Sequence, residues 1–151
     1  MKVSIKGKNP KISKEEIRYA TRWMASLILS KKMMGNVSVI VDFVSERGLK
    51  GSTECLDADY KPRNFKINVD PELSRRNQLL TLAHELVHVK QFAMGEMRYT
   101  RYTELIKWHK QTIHNEQTEY WDLPWEIEAF GREFGMYIRY VDHVARDKLK
   151  F

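Results

Sequence analysis

Apolar residues recur along this chain with two periods, near 3.6 and 2, and the changes between them divide it into helices and strands. Ser13 followed by Glu16 forms a capping box. Ile17, Ala20, Met24, Leu27 and Ile28 then repeat at helical spacing up to Gly35, which predicts an amphipathic helix over 14–34. Val37, Val39, Val41 and Phe43 alternate, with Ile40 and Val44 between and after them, as in a largely buried strand. Residues 48–63 mix Gly, Asp, Pro and Lys and read as a loop or short strand. The alternation of Phe65-Lys66-Ile67-Asn68-Val69 predicts a strand at 65–69, a candidate sheet edge bordering a cleft.

Asp70-Pro71-Glu72 offers an N-cap, a first-turn proline and a first-turn acid, so a second helix is expected from there to Met94, with Gly95 as its stop. Leu79, Leu80, Leu82, Ala83, Leu86, Val87, Val89 and Phe92 lie nearly all round its axis, the mark of a central buried helix. From Glu96 to Trp121 the pattern is irregular and aromatic-rich, and a hairpin or short helix is expected. A last helix opens at Asp122-Leu123-Pro124 and runs to about Lys148, with Ile127, Phe130, Phe134, Ile138 and Val141 as its expected inward face. These elements add up to one α+β domain over 1–151: an N-terminal helix, a short twisted sheet, a buried central helix and a C-terminal helix.

Composition narrows the class. A hydrophobic fraction of 42% in 151 residues excludes disorder and suffices for a core. No apolar run reaches the ~18 residues that a membrane span needs. The basic start, Met1 to Lys8, lacks a following apolar region, so no signal peptide is expected, and the single cysteine, Cys55, fits a reducing compartment such as the cytoplasm. A net charge of +6 is spread along the chain without a dense basic block, which points to a solvated surface before a nucleic-acid patch.

The chemistry concentrates in His84-Glu85-Leu86-Val87-His88, an H-E-x-x-H pattern on the central helix. Residues four apart stand one turn above each other, so both imidazoles can reach one metal ion while Glu85 stands beside it as a general base. A catalytic Zn²⁺ takes three protein ligands, and Val89 to Gly95 contains no third histidine. Glu126 and Glu128 enter the last helix together. With Phe130 at the middle of the apolar face, Glu126 falls ~40° away and Glu128 ~160° away, which makes Glu126 the third ligand and leaves Glu128 as the alternative.

H-E-x-x-H followed on a later helix by E-x-x-A resembles the gluzincin metallopeptidases, the class of thermolysin. Glu126-Ile127-Glu128-Ala129 matches that part, whereas Phe130 stands where the class often has an acid that orients the first motif histidine. The segment Tyr120 to Ala129 is also similar to one in small phage-encoded metallopeptidase-like proteins, and the layout is similar to SprT-like minimal proteases, which use a histidine as third ligand. The resemblance implies a zincin-like fold and zinc-dependent cleavage of a peptide or protein substrate; a viral source adds the host cytoplasm or the virion as locations.

Further candidates are weaker. His109, His114 and His143 are histidines available as transition-state donors, as are Tyr120, Tyr137 and Tyr140 by residue type, with Tyr137 nearest the inward face of the last helix. Gln91 follows His88 on the same helix face. Two other functions remain open: a non-enzymatic structural or binding protein whose His/Glu cluster or zinc is structural, and a DNA-associated protease whose basic surface finds its substrates.

Overall fold

The computed structural model describes residues 1–9, 11–46, 48–102 and 104–151 and has an α+β architecture. A four-stranded sheet has the order β1 (Lys2–Gly7), β2 (Ser38–Phe43), β4 (Asn64–Val69), β3 (Gly51–Cys55). The first three run parallel and β3 closes the edge antiparallel to β4. On β2 and β4 the inward residues Val39, Val41, Phe65 and Ile67 are all at most 1% exposed. α1 (Lys14–Ser26), α2 (Lys31–Asn36) and the central α3 (Arg75–Met94) join a small second sheet, β5 (Met97–Tyr99), β6 (Leu105–Trp108), β7 (Gln111–His114), and the long α4 (Pro124–Arg146).

The expected helix over 14–34 is two helices. Ser13 caps α1 on the amide of Glu16, the chain turns after Ser26, and Ser30 restarts it by accepting from the amide of Met33. Strand β1 is additional to the sequence reading, although Val3 and Ile5 alternate with Lys2, Ser4 and Lys6. The strand expected at 65–69 is interior, not an edge; β3 holds the edge beside it. α3 begins five residues later than Asp70, because the Asp70 side chain instead accepts from the Glu72 amide and the Ser45 hydroxyl. Ser74 is the real cap, and Gly95, at φ +74°, ends the helix in the left-handed region where glycine costs least. The segment 96–121 is a three-stranded meander followed by two short 3₁₀ turns.

α3 is buried almost all round, as its sequence predicts, with Leu79, Leu82, Leu86 and Val87 at 0% exposure. α4 covers it in a different rotation from the expected one. Its core face is Trp125, Ala129, Met136 and Tyr140, while Ile127, Phe130, Phe134 and Ile138 are exposed. The bulky stripe faces outward because the inward face must also hold Glu126 against α3. The buried charge of Glu16 is met by an ion pair with Arg75 and by the Tyr140 hydroxyl. Among the described residues no helix is long and apolar enough to cross a membrane.

This rotation of α4 has a stability signature. Met136→Ala opens a cavity in the core and should cost about 2–5 kcal/mol. Ile127→Ala, on the exposed side, should stay within about 0.5 kcal/mol. Urea unfolding of the two variants in dilute protein reads the difference; equal losses contradict this packing.

Candidate metal centre

The helical spacing in α3 and the entry of α4 bring three ligand atoms to one point. His84 Nε2 lies 3.1 Å from His88 Nε2 and 3.2 Å from Glu126 Oε2, and His88 Nε2 lies 3.5 Å from Glu126 Oε1. A tetrahedral ion bound at ~2.0–2.1 Å sets neighbouring donors ~3.3 Å apart. His84, His88 and Glu126 are therefore spaced as three corners of such a site, all three buried, and can hold a metal ion. Glu128 is outside this group.

The rings are held in the tautomer that a metal needs. The Gln91 amide nitrogen donates to the Trp125 carbonyl at 2.9 Å and to Glu128 Oε2 at 3.1 Å, so its oxygen is the atom left facing His88 Nδ1, 2.8 Å away. Nδ1 then carries the proton and Nε2 presents its lone pair inward. Glu133 does the same for His84, its Oε2 lying 2.8 Å from Nδ1. Two inward lone pairs 3.1 Å apart, beside a buried carboxylate, repel unless a cation sits among them. This is the fit of the residues to a metal.

Without a metal, a proton takes that role. Burial opposes a charged His84, but the carboxylates of Glu126 and Glu133 outweigh it and raise its pKa to about 9. Burial raises the pKa of Glu126 in the same way, and the hydrogen bond with His84, the charge of His88 and the Tyr120 hydroxyl bring it below the ordinary carboxylate range. Glu85 goes the other way: burial pushes its carboxyl up, against the pull of His88, His84 and Thr53. Glu85 is held by the Thr53 hydroxyl of β3, which donates to its Oε2 at 2.8 Å.

Two hollows flank the cluster and share Leu49, Gly51, His84, Glu85 and Tyr120 in their walls. The larger, about 490 Å³, is otherwise lined by residues such as Leu80, Trp121 and Phe130, and the smaller, about 370 Å³, by Phe92, Met97, Tyr99 and Trp125. Edge strand β3 borders both. Gly51 is there for close approach: a Cβ would stand 2.4 Å from Thr81 Cγ2, 2.9 Å from the Asn68 carbonyl and 3.2 Å from Glu85 Oε1.

Several expectations change. Glu128 does not point to solvent: it is partly buried, bound to Lys90 at 2.9 Å, Arg132 at 2.8 Å and Gln91, and acts on His88 through that glutamine. Gln91, singled out only as a neighbour, fixes a ring. Phe130 does leave the expected acid position empty, but its ring packs edge-on against His84 at 4.6 Å, and Glu133 supplies the acid one turn later. Seven residues separate Glu126 from Glu133, which puts them ~20° apart on the helix, a signal present in the sequence.

Of the aromatic candidates, Tyr120 belongs to the site, its hydroxyl donating to Glu126 Oε2 at 2.7 Å. Tyr140 instead reaches Glu16, and Tyr137 packs against the core. His143 stacks on Trp23 and bonds the Tyr19 hydroxyl, His109 forms the turn between β6 and β7 at φ +51°, and His114 ends β7; none of the three lines the hollows. Cys55 is a free thiol whose pKa burial raises to about 11, with Asp57 adding to the effect.

Two outcomes test this geometry. His84→Ala and Glu126→Ala should abolish tight metal binding in a chelator competition, Glu133→Gln should weaken it by about 10–100-fold, and Lys90→Ala should leave it nearly unchanged. In metal-free protein, the His84 contribution to stability is complete below the ordinary histidine pKa of 6.5 and is lost as pH rises through about 9. Denaturation midpoints in chelator should therefore fall across that window in the wild type, and less so in Glu133→Gln. Comparison with protein-family models, curated proteins and solved structures finds no match for this chain, and the functional reading rests on the site itself.

Proposed function

We propose that this protein is a zinc-dependent metallopeptidase of the gluzincin kind, with His84, His88 and Glu126 as ligands and Glu85 as the general base. The observation that carries the reading is the combination of three convergent donors, both histidine Nδ1 atoms already committed elsewhere, and a further carboxylate beside them, Glu85, that is outside the donor group. Two imidazoles and a carboxylate suit zinc better than the all-oxygen sets of magnesium or calcium. A closed structural site takes a fourth protein donor, and among the described residues the group has three.

Bound zinc would polarise a carbonyl and lower the pKa of the water in its open position to ~7. Glu85 is placed to take the proton of an attacking water as the water oxygen bonds to the peptide carbonyl carbon. Its desolvated carboxylate, raised in basicity by burial, suits it to this proton. Thr53 keeps the carboxylate aimed, and Glu85 then passes the proton to the departing amine as the C–N bond breaks. Tyr120 stays a protonated donor, since burial and Glu126 both raise its pKa, and its hydroxyl, at the wall of both hollows, would be the donor to a substrate carbonyl oxygen as that oxygen gains charge. The free edge of β3 runs beside Glu85 and can pair with an extended substrate main chain.

The test is hydrolysis of an unfolded protein by the zinc-loaded enzyme. Glu85→Gln should keep its zinc and lose about 10²–10⁴-fold in kcat. Tyr120→Phe should lower kcat by about 10²-fold with little change in KM. Full activity in Glu85→Gln removes the proposed base, and zinc binding without any hydrolysis in the wild type turns the reading to a structural metal site.

A further inference from the structure

The smaller hollow suits uncharged main chain, and one of its polar residues has no task yet. Its walls are largely apolar: Phe92, Met97, Ile106, Leu123 and Trp125 line it, and none is more than 7% exposed. No lysine or arginine lines it, and its two acids, Glu85 and Glu126, are the proposed base and ligand. The ammonium or carboxylate end of a peptide therefore finds no counter-charge there apart from the groups at the metal. An interior stretch of chain fits better.

Such a stretch has to hydrogen-bond on two sides. In an extended strand the N–H and C=O of one residue point to one side and those of the next residue to the other. The free edge of β3, whose Gly51, Ser52 and Thr53 line the hollow, serves one side only. Main-chain groups that face away from β3 are stripped of water against the apolar walls, and leaving them unpaired costs more than one good hydrogen bond returns.

Most polar side chains around the hollow are already committed. The Thr53 hydroxyl donates to Glu85 at 2.8 Å, that of Ser52 to Glu46 at 2.6 Å and that of Tyr120 to Glu126 at 2.7 Å. Asn115, which also lines the hollow, differs. Its carboxamide has no partner among the described residues, and the local role usual for asparagine is unfilled, since the 3₁₀ turn Asn115–Gln117 has no side-chain cap. Its backbone is nevertheless fixed. The Asn115 amide donates to the Glu104 carbonyl at 2.7 Å, and the Thr118 hydroxyl donates to the His114 carbonyl at 2.9 Å. A carboxamide offers an acceptor and two donors, the complement of one residue's N–H and C=O.

We propose that Asn115 is a positioning residue for the substrate: its carboxamide takes the N–H and C=O of one substrate residue from the side opposite β3. The smaller hollow then accepts an interior, uncharged, extended segment and not a chain end. The contact belongs to the substrate site proposed above and rests on that reading.

Peptide binding in a Glu85→Gln background, which keeps zinc and stops turnover, tests the contact apart from the chemistry. The probe is a fluorescent decapeptide with acetylated and amidated ends, alternating leucine with serine, read by anisotropy on the zinc-loaded full chain. Asn115→Ala should weaken binding roughly tenfold, and Asn115→Asp, which keeps the size but loses the donors, about as much. Replacing single N–H groups of the peptide by ester oxygens should reveal one position that matters with Asn115 in place and ceases to matter in Asn115→Ala, a pairing that a merely structural residue does not produce. Absence of peptide binding, unchanged affinity in both Asn115 variants, or ester effects indifferent to Asn115→Ala overturns the proposal. Binding that depends on Asn115 in a protein whose wild type cleaves nothing confirms the contact and removes only the hydrolytic reading.

Discussion

The structure turns on the burial of Glu126 against His84 and His88 at the contact between α4 and α3. A carboxylate and two imidazoles taken out of water cost several kcal/mol unless each hydrogen-bonding atom is answered. Here each is answered from a different element. Glu133 and Gln91 take the outer ring nitrogens, Tyr120 takes one carboxylate oxygen, and the inward lone pairs are left for a cation. That requirement fixes the rotation of α4, and the rotation in turn sends Phe130, Phe134 and Ile138 to the surface.

The same contact explains why Glu85 differs from its neighbours. Glu126 has its carboxyl held below the ordinary range by the hydrogen bonds with His84 and Tyr120, while Glu85, one residue from His84 on α3, is more deeply enclosed and has its carboxyl raised. Two carboxylates with oppositely shifted affinities for the proton are the arrangement by which a site separates a ligand from a base. Thr53 and the missing side chain of Gly51 give Glu85 its place beneath edge strand β3, at the junction of the two hollows.

Much of this was legible in the sequence where local physics decides. The all-round apolar pattern of α3 made it the central helix, Gly95 marked its end, and the four-residue spacing put His84 and His88 on one face. The rotation of α4 was not legible, because its largest apolar residues form the outer stripe and the core face mixes Trp125, Ala129, Met136 and Tyr140 with two glutamates. Glu126 was found all the same, since it lies between the two faces, ~40° from Phe130 and ~60° from Ala129. Glu133 was missed because a helper acid was sought at the position of Phe130. Strand β1 was missed because a short basic segment reads as solvated chain until the parallel pairing with β2 gives it a partner.

The central claim is that three side chains of this protein make an open metal site. The X-ray absorption spectrum of the zinc-loaded protein addresses it most directly, because it counts imidazoles and separates oxygen from sulfur donors. The account predicts two imidazole nitrogens and two oxygens, one from Glu126 and one from water, at ~2.0–2.1 Å. A sulfur at ~2.3 Å, which only Cys55 or a methionine could supply, or a third imidazole would contradict it.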